Sequence, residues 1–190
     1  DLKEQPKRFI LWEIMNIIRW RVSIGRSEER KMTGDIRIIE IQEDDEKSSC
    51  TRDILEKLPE WFGNKQARDE YAEEVRGLPY YAAVNSENKC IGFFSIKIHY
   101  QHTGDIFVCG VLPEYQHNGV GRALYQVVES RLIQRGCKYV IVKTLSDAVD
   151  FEPYARTREF YKSVGFESLI TLTEMWDEEN PCLIMLKSLL

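Results

Sequence analysis

The six residues Gln116-His117-Asn118-Gly119-Val120-Gly121 constrain this chain most, because they join an apolar run, Ile106 to Leu112 and then Pro113, to a strongly periodic helix. Val120, Ala123, Leu124, Val127, Val128 and Leu132 recur at helical spacing, and Gly136 stops the run. A strand that turns into a helix through two glycines leaves free N–H groups at the positive end of the helix dipole, with no Cβ to hold an anion off. The stretch therefore predicts a phosphate cradle. Two other phosphate loops are excluded. A Walker loop ends in Gly-Lys-Ser/Thr, and the dinucleotide fingerprint needs glycine at 117, or a third glycine with an acid about 20 residues on.

The 190 residues are 43% hydrophobic and 30% charged, which fits one domain with a sizeable core and a short appendage. A net charge of −5 argues against a nucleic-acid partner held by a basic surface, and admits a cationic amine as substrate. Cysteines 50, 90, 109, 137 and 182 are scattered and never spaced Cys-x-x-Cys. They read as reduced thiols of a cytoplasmic protein, with neither a disulfide frame nor a metal site; His99 and His102 read as a surface pair.

Residues 1–34 carry eight Lys and Arg against five Asp and Glu, whereas residues 35–190 carry 18 against 26. The polar linker Arg26 to Gly34 divides an N-terminal extension from the main domain. In the extension, Phe9 to Val22 is apolar except at Glu13, Asn16 and Arg19, a helix with one polar stripe. It is too short and interrupted to span a bilayer, and no small-residue cleavage site follows it. Packing on the domain, or on a second copy of the chain, is the expected fate of its apolar face, ahead of a membrane surface.

From Asp35 onward, alternation and periodicity predict strands at Ile36–Ile41, Tyr80–Val84, Cys90–Ile98, Asp105–Leu112, Tyr139–Thr144, Ser168–Thr173 and Cys182–Leu186. Helices are predicted at Thr51–Leu58, Gln66–Val75, from Val120, and at Pro153–Ser163.

The cradle resembles the acyl-CoA site of the GNAT superfamily of N-acyltransferases, Gln/Arg-x-x-Gly-x-Gly/Ala after a Val-x-Pro strand end, which Val111, Pro113, Gln116, Gly119 and Gly121 match. A second stretch, Arg158-Glu-Phe-Tyr161-Lys-Ser-Val-Gly165-Phe166, resembles the ending of that family's last helix, and the element order over residues 35–190 is similar too. The resemblance implies an α/β (α+β) fold, a mixed, mostly antiparallel sheet flanked by helices. It also implies transfer of acetyl from acetyl-CoA, as co-substrate and without a metal, to a primary amine of a small molecule or peptide. The alternative from another class is a non-catalytic acyl-CoA-binding regulatory module.

The resemblance places the CoA pyrophosphate on Gln116, His117, Asn118, Gly119, Val120, Gly121 and Arg122, and the pantetheine arm along Cys109, Gly110 and Val111, with glycine at 110 allowing close approach. Tyr161 falls on the family's thiolate-protonating tyrosine. Many members carry Asn where this chain has Tyr154, so the usual amide contact is absent and the tyrosine's hydroxyl or ring takes its place. Asp105 falls where the histone-acetylating branch carries a glutamate base, and strand parity predicts that it shares a face with Cys109, opposite Gly110. Cys109 itself reads as a structural thiol, not a covalent nucleophile. Acceptor selectivity is expected from two segments that pair aromatics with acids, Glu60-Trp61-Phe62 and the loop Glu174 to Glu179 around Trp176.

Overall fold

The computed structural model describes residues 36–190, so the expectations for the N-terminal extension lie outside the described residues. Strand β1 (Arg37–Glu40) leads through α1 (Asp44–Glu56) and α2 (Lys65–Glu74) to β2 (Tyr80–Val84). Next come β3 (Cys90–His99), β4 (Thr103–Val111), a 3₁₀ turn at Pro113–Tyr115, α3 (Val120–Gln134), β5 (Tyr139–Leu145), α4 (Glu152–Ser163), β6 (Glu167–Asp177) and β7 (Asn180–Ser188). The seven strands form one sheet in the order β1-β2-β3-β4-β5-β7-β6, antiparallel except where β4 runs beside β5.

Local chemistry accounts for the elements. All five residues of β2, Tyr-Tyr-Ala-Ala-Val, are buried, as befits an inner strand covered on both faces. Asn64 caps α2 by accepting the Ala67 N–H at 3.2 Å. Val120, Leu124, Tyr125, Val128 and Leu132 bury one stripe of α3, and Gly136, at φ +80°, ends it.

The sheet hides one irregularity with large effects. Ser95 pairs with Val108 but Ile96 pairs with Ile106, so Phe107 is an extra residue on β4, a β-bulge. A Cβ at Gly104 would meet Leu132 of α3 at 2.6 Å, whereas one at Gly110 would meet Leu58 at 2.8 Å and Ile54 of α1 at 3.0 Å. These glycines are an even number of residues apart and would share a face in a regular strand. The bulge puts them on opposite faces. Asp105, on the other side from Gly104, therefore shares Gly110's face, and Cys109 takes the opposite one. This overturns the expectation from unbroken parity, which put Asp105 with Cys109.

Two further expectations are corrected. Cys50 of α1 and Cys90 of β3 are joined in a disulfide, with Cα atoms 6.1 Å apart, so only Cys109, Cys137 and Cys182 are free and the cysteine pattern no longer argues for a reducing compartment. The fold closes a separation of 40 residues that no sequence spacing announces. The segment from Glu174 is no loop either: β6 runs to Asp177 and β7 resumes at Asn180, leaving a two-residue turn.

Gly110 gives a first testable consequence. Its missing side chain makes room for α1, so Gly110→Ala should cost about 1–3 kcal/mol of stability by overpacking. A variant with an unchanged denaturation midpoint but weakened CoA binding would return Gly110 to the ligand-approach role.

Candidate functional site

The site grows from the place where β4 and β5 part. The two strands pair only from Thr103 with Tyr139 to Ile106 with Val142, while β5 goes on pairing with β7 as far as Leu145. Among the described residues, Phe107 to Val111 thus have no strand on that edge. Leu112 donates its N–H to Ile91 O of the β3 side, so by ladder alternation the backbone groups of Cys109 and Val111, not those of Gly110, point to the open edge. Gln116 Nε2 donates to Val111 O at 2.9 Å, which leaves the Val111 N–H and both groups of Cys109 for an added chain.

At the end of this edge lies the predicted cradle. His117 at φ +59° and Gly119 at φ +84° turn the chain sharply into α3. The first intrahelical bond runs from Ala123 N to Gly119 O, so the N–H groups of Gly119, Val120, Gly121 and Arg122 have no partner within the helix. His117, Asn118 and Gly119 are exposed, and a Cβ at Gly119 would meet nothing within 4 Å, so the approach is open. Gly121 serves a second end: its Cβ would lie 3.3 Å from the Phe160 ring of α4. The Arg122 guanidinium donates to Ser163 Oγ at 3.1 Å and ties the start of α3 to the end of α4.

Tyr161 of α4 is buried, and its hydroxyl lies 3.3 Å from Cys109 Sγ, at the open edge of β4. Burial above all, with Cys109 beside it, raises the Tyr161 hydroxyl well above its ordinary value. Burial also pushes the Cys109 thiol up to about 11, against the pull of the Tyr161 hydrogen bond. Both protons therefore stay on at neutral pH, which suits a donor at 161 and disfavours a thiolate at 109. Tyr161 is also packed, edge-on to Phe160 and Phe166 at 5.4 Å each. Tyr154, raised to about 12 by burial, donates to Trp61 O at 3.4 Å.

On the other face, Asp105 is buried under two partners that sequence reading missed. Lys143 Nζ of β5 donates to its Oδ2 at 2.5 Å, and His99 Nε2 of β3 lies 3.0 Å from the same oxygen. Oδ1 is buried and has no protein partner among the described residues. The one signal was a lysine interrupting the apolar strand Tyr139-Val-Ile-Val-Lys143. His102 stays apart, bonding Thr103 Oγ1 at 2.8 Å. No group of three metal-ligating side chains occurs among the described residues.

The expected acceptor segments separate. Trp61 Nε1 donates to Thr157 Oγ1 at 3.0 Å, Phe62 packs on Tyr71, and Tyr71 on Phe107 at 5.5 Å. Arg156 sits 5.9 Å from the Trp61 ring and 3.8 Å from Glu60, in the place sequence reading kept for an acceptor's ammonium. Trp176 is 45% exposed on the β6–β7 hairpin, and no hydrogen bond or ring contact links it to that cluster among the described residues.

Residues 39–166 match the profile of the Acetyltransferase (GNAT) family. Over 65 residues the chain is 38% identical to a mycothiol acetyltransferase of Saccharopolyspora erythraea, covering 34% of this chain but only 22% of that relative's length. The ribosomal-protein-S18-alanine N-acetyltransferase of Escherichia coli superimposes with a TM-score of 0.66 at 17% identity, over 82% of this chain and 94% of that one. An aminoglycoside 6′-N-acetyltransferase complexed with coenzyme A does so at 0.63 and 17%, over 80% and 97%. Among the described residues no helix is long and apolar enough to cross a membrane.

Proposed function

The chain belongs to the GNAT acetyltransferase family, and from that premise we propose that it moves acetyl from acetyl-CoA to a primary amine by direct attack, without an acyl-enzyme. The observation that carries the reading is the open β4 edge ending in a glycine-turned helix start, with the Tyr161 hydroxyl buried beside it. These residues fit the co-substrate: the N–H groups of Gly119 to Arg122 suit a pyrophosphate, and Cys109 and Val111 offer backbone groups to amides of the pantetheine arm.

Each residue then has a task. Tyr161 keeps its proton through burial and gives it to the departing sulfur, neutralising charge that develops there. Cys109 orients that hydroxyl while remaining protonated itself, which is why the proposal takes direct transfer over a cysteine intermediate. Asp105, on the opposite face, takes the acceptor's proton directly or through a water, with its unpartnered Oδ1 as the available atom. Because Arg156 already occupies Glu60 and Trp61, the acceptor is a small-molecule or peptide amine met mainly on the side of Asp105.

Release of free CoA thiol from acetyl-CoA with a panel of amines tests the activity. Binding without turnover of any amine would favour the non-catalytic acyl-CoA module. For the cradle, Gly119→Asp adds a carboxylate where phosphate must sit, meeting no neighbour but straining the backbone at φ +84°, and should weaken CoA binding at least tenfold, about 1.4 kcal/mol. Unchanged affinity by calorimetry in the folded variant would remove the pyrophosphate from this turn.

A further inference from the structure

Asp105 already holds an ammonium. Lys143 stands one residue past Val142, the last β5 residue paired with β4, so it lies at the root of the wedge where the strands part. Ile141 is the register partner of Asp105, and Lys143, two residues on, shares its face. Among the described residues, the other lysine–carboxylate pairs, on Asp44, Asp69, Glu74, Glu159 and Glu129, use acids that are at least a quarter exposed. The Asp105 side chain is 3% exposed, whereas Lys143 keeps 25%, enough to move. Around the carboxylate, β3 supplies His99 and Lys97, the latter paired with Glu74 of α2, and β7 supplies the buried Cys182 thiol.

Among the described residues, the amine on that carboxylate, beside the edge proposed to hold the thioester, is therefore that of Lys143. Resting on the acetyl-transfer reading above, we propose that Lys143 is itself an acceptor, a site of self-acetylation. Nζ gives one proton to Asp105 Oδ2 and bonds the thioester carbon. The C–S bond breaks with its electron pair on sulfur, Tyr161 protonates the sulfur, and the second proton released from nitrogen restores the Tyr161 hydroxyl. The products are N-acetyl-Lys143, CoA thiol and one proton, passed from Asp105 to solvent. Acetylation removes the charge of Lys143 and leaves Oδ2 to an external acceptor's ammonium.

The test is to incubate the full chain with isotope-labelled acetyl-CoA and no amine, and to map acetyl-lysine by mass spectrometry. Label should reach Lys143 ahead of Lys65 and Lys162, which are 79% and 51% exposed, at a rate per molecule that does not fall on dilution. Tyr161→Phe and Asp105→Asn should each slow it at least tenfold, and Lys143→Arg should lose that one acetyl. Labelling of Lys143 no faster than Lys65, or at the wild-type rate in Tyr161→Phe, would mean chemical acetylation and overturn the proposal. Calorimetry on the same preparation separates the two readings: CoA bound and an amine turned over without acetyl-Lys143 overturns self-acetylation alone, whereas no CoA bound overturns both.

Discussion

Tyr161→Phe should lower kcat by roughly 100-fold, about 2.7 kcal/mol of transition-state stabilisation, while CoA affinity stays at the wild-type value. Phenylalanine keeps the ring between Phe160 and Phe166 and deletes only the oxygen beside Cys109 Sγ, so loss of packing is not what the experiment reads. The raised pKa adds a sign: the hydroxyl stays protonated through the ordinary assay range, so wild type should show no alkaline loss of rate from this group below about pH 10. A wild-type kcat in the variant, with chemistry shown to be rate-limiting, would reduce Tyr161 to a core aromatic. Stability follows the same direction, because folding raises the pKa of Tyr161, Tyr80 and Tyr125 alike. That contribution is complete below the unfolded value near 10 and is lost as pH rises past it, so on alkaline titration exposed tyrosines such as Tyr100 should ionise first and the remaining tyrosinate absorbance should appear together with unfolding.

Asp105→Asn should cut kcat/KM by about 100-fold at low pH and by much less at high pH, where free amine accumulates unaided. The amide preserves the shape of the side chain and still offers an oxygen to Lys143 and His99, so CoA binding should be unchanged. If Asp105 only attracted a cationic acceptor, KM would rise with kcat unchanged, and the loss would shrink with added salt. A variant profile parallel to wild type at every pH would take the base role from Asp105 and leave deprotonation to water.

Elements with a strong period could be read directly: four of the α3 residues its spacing marks, Val120, Leu124, Val128 and Leu132, are buried, joined by the unmarked Tyr125, and β2 spans the predicted residues, Tyr80–Val84. The glycine turn into α3 and the helix that carries Tyr161 were readable because each is a local run of sequence. What escaped was non-local or looked ordinary. Phe107 reads as one more apolar strand residue, yet it is the bulge that decides which way Asp105 faces. Lys143 is 38 residues from the carboxylate it pairs with, and Arg156 of α4 reaches Glu60 in the turn between α1 and α2. Charge complementarity of that kind exists only once the sheet has assembled.

The extra residue at 107 gives β4 two working sides from one stretch of backbone. Below it the carboxylate lies on the face of α1 and α2; above it the thiol partner of Tyr161 lies on the face of α3 and α4, so the group that would remove a proton and the one that would supply it reach a thioester in the wedge from opposite faces of one strand. Each can be tuned by mutations on its own face. Anyone grafting a different base onto this strand must carry the insertion with it, since deleting Phe107 would turn the acid below and the thiol above toward the same layer of helices.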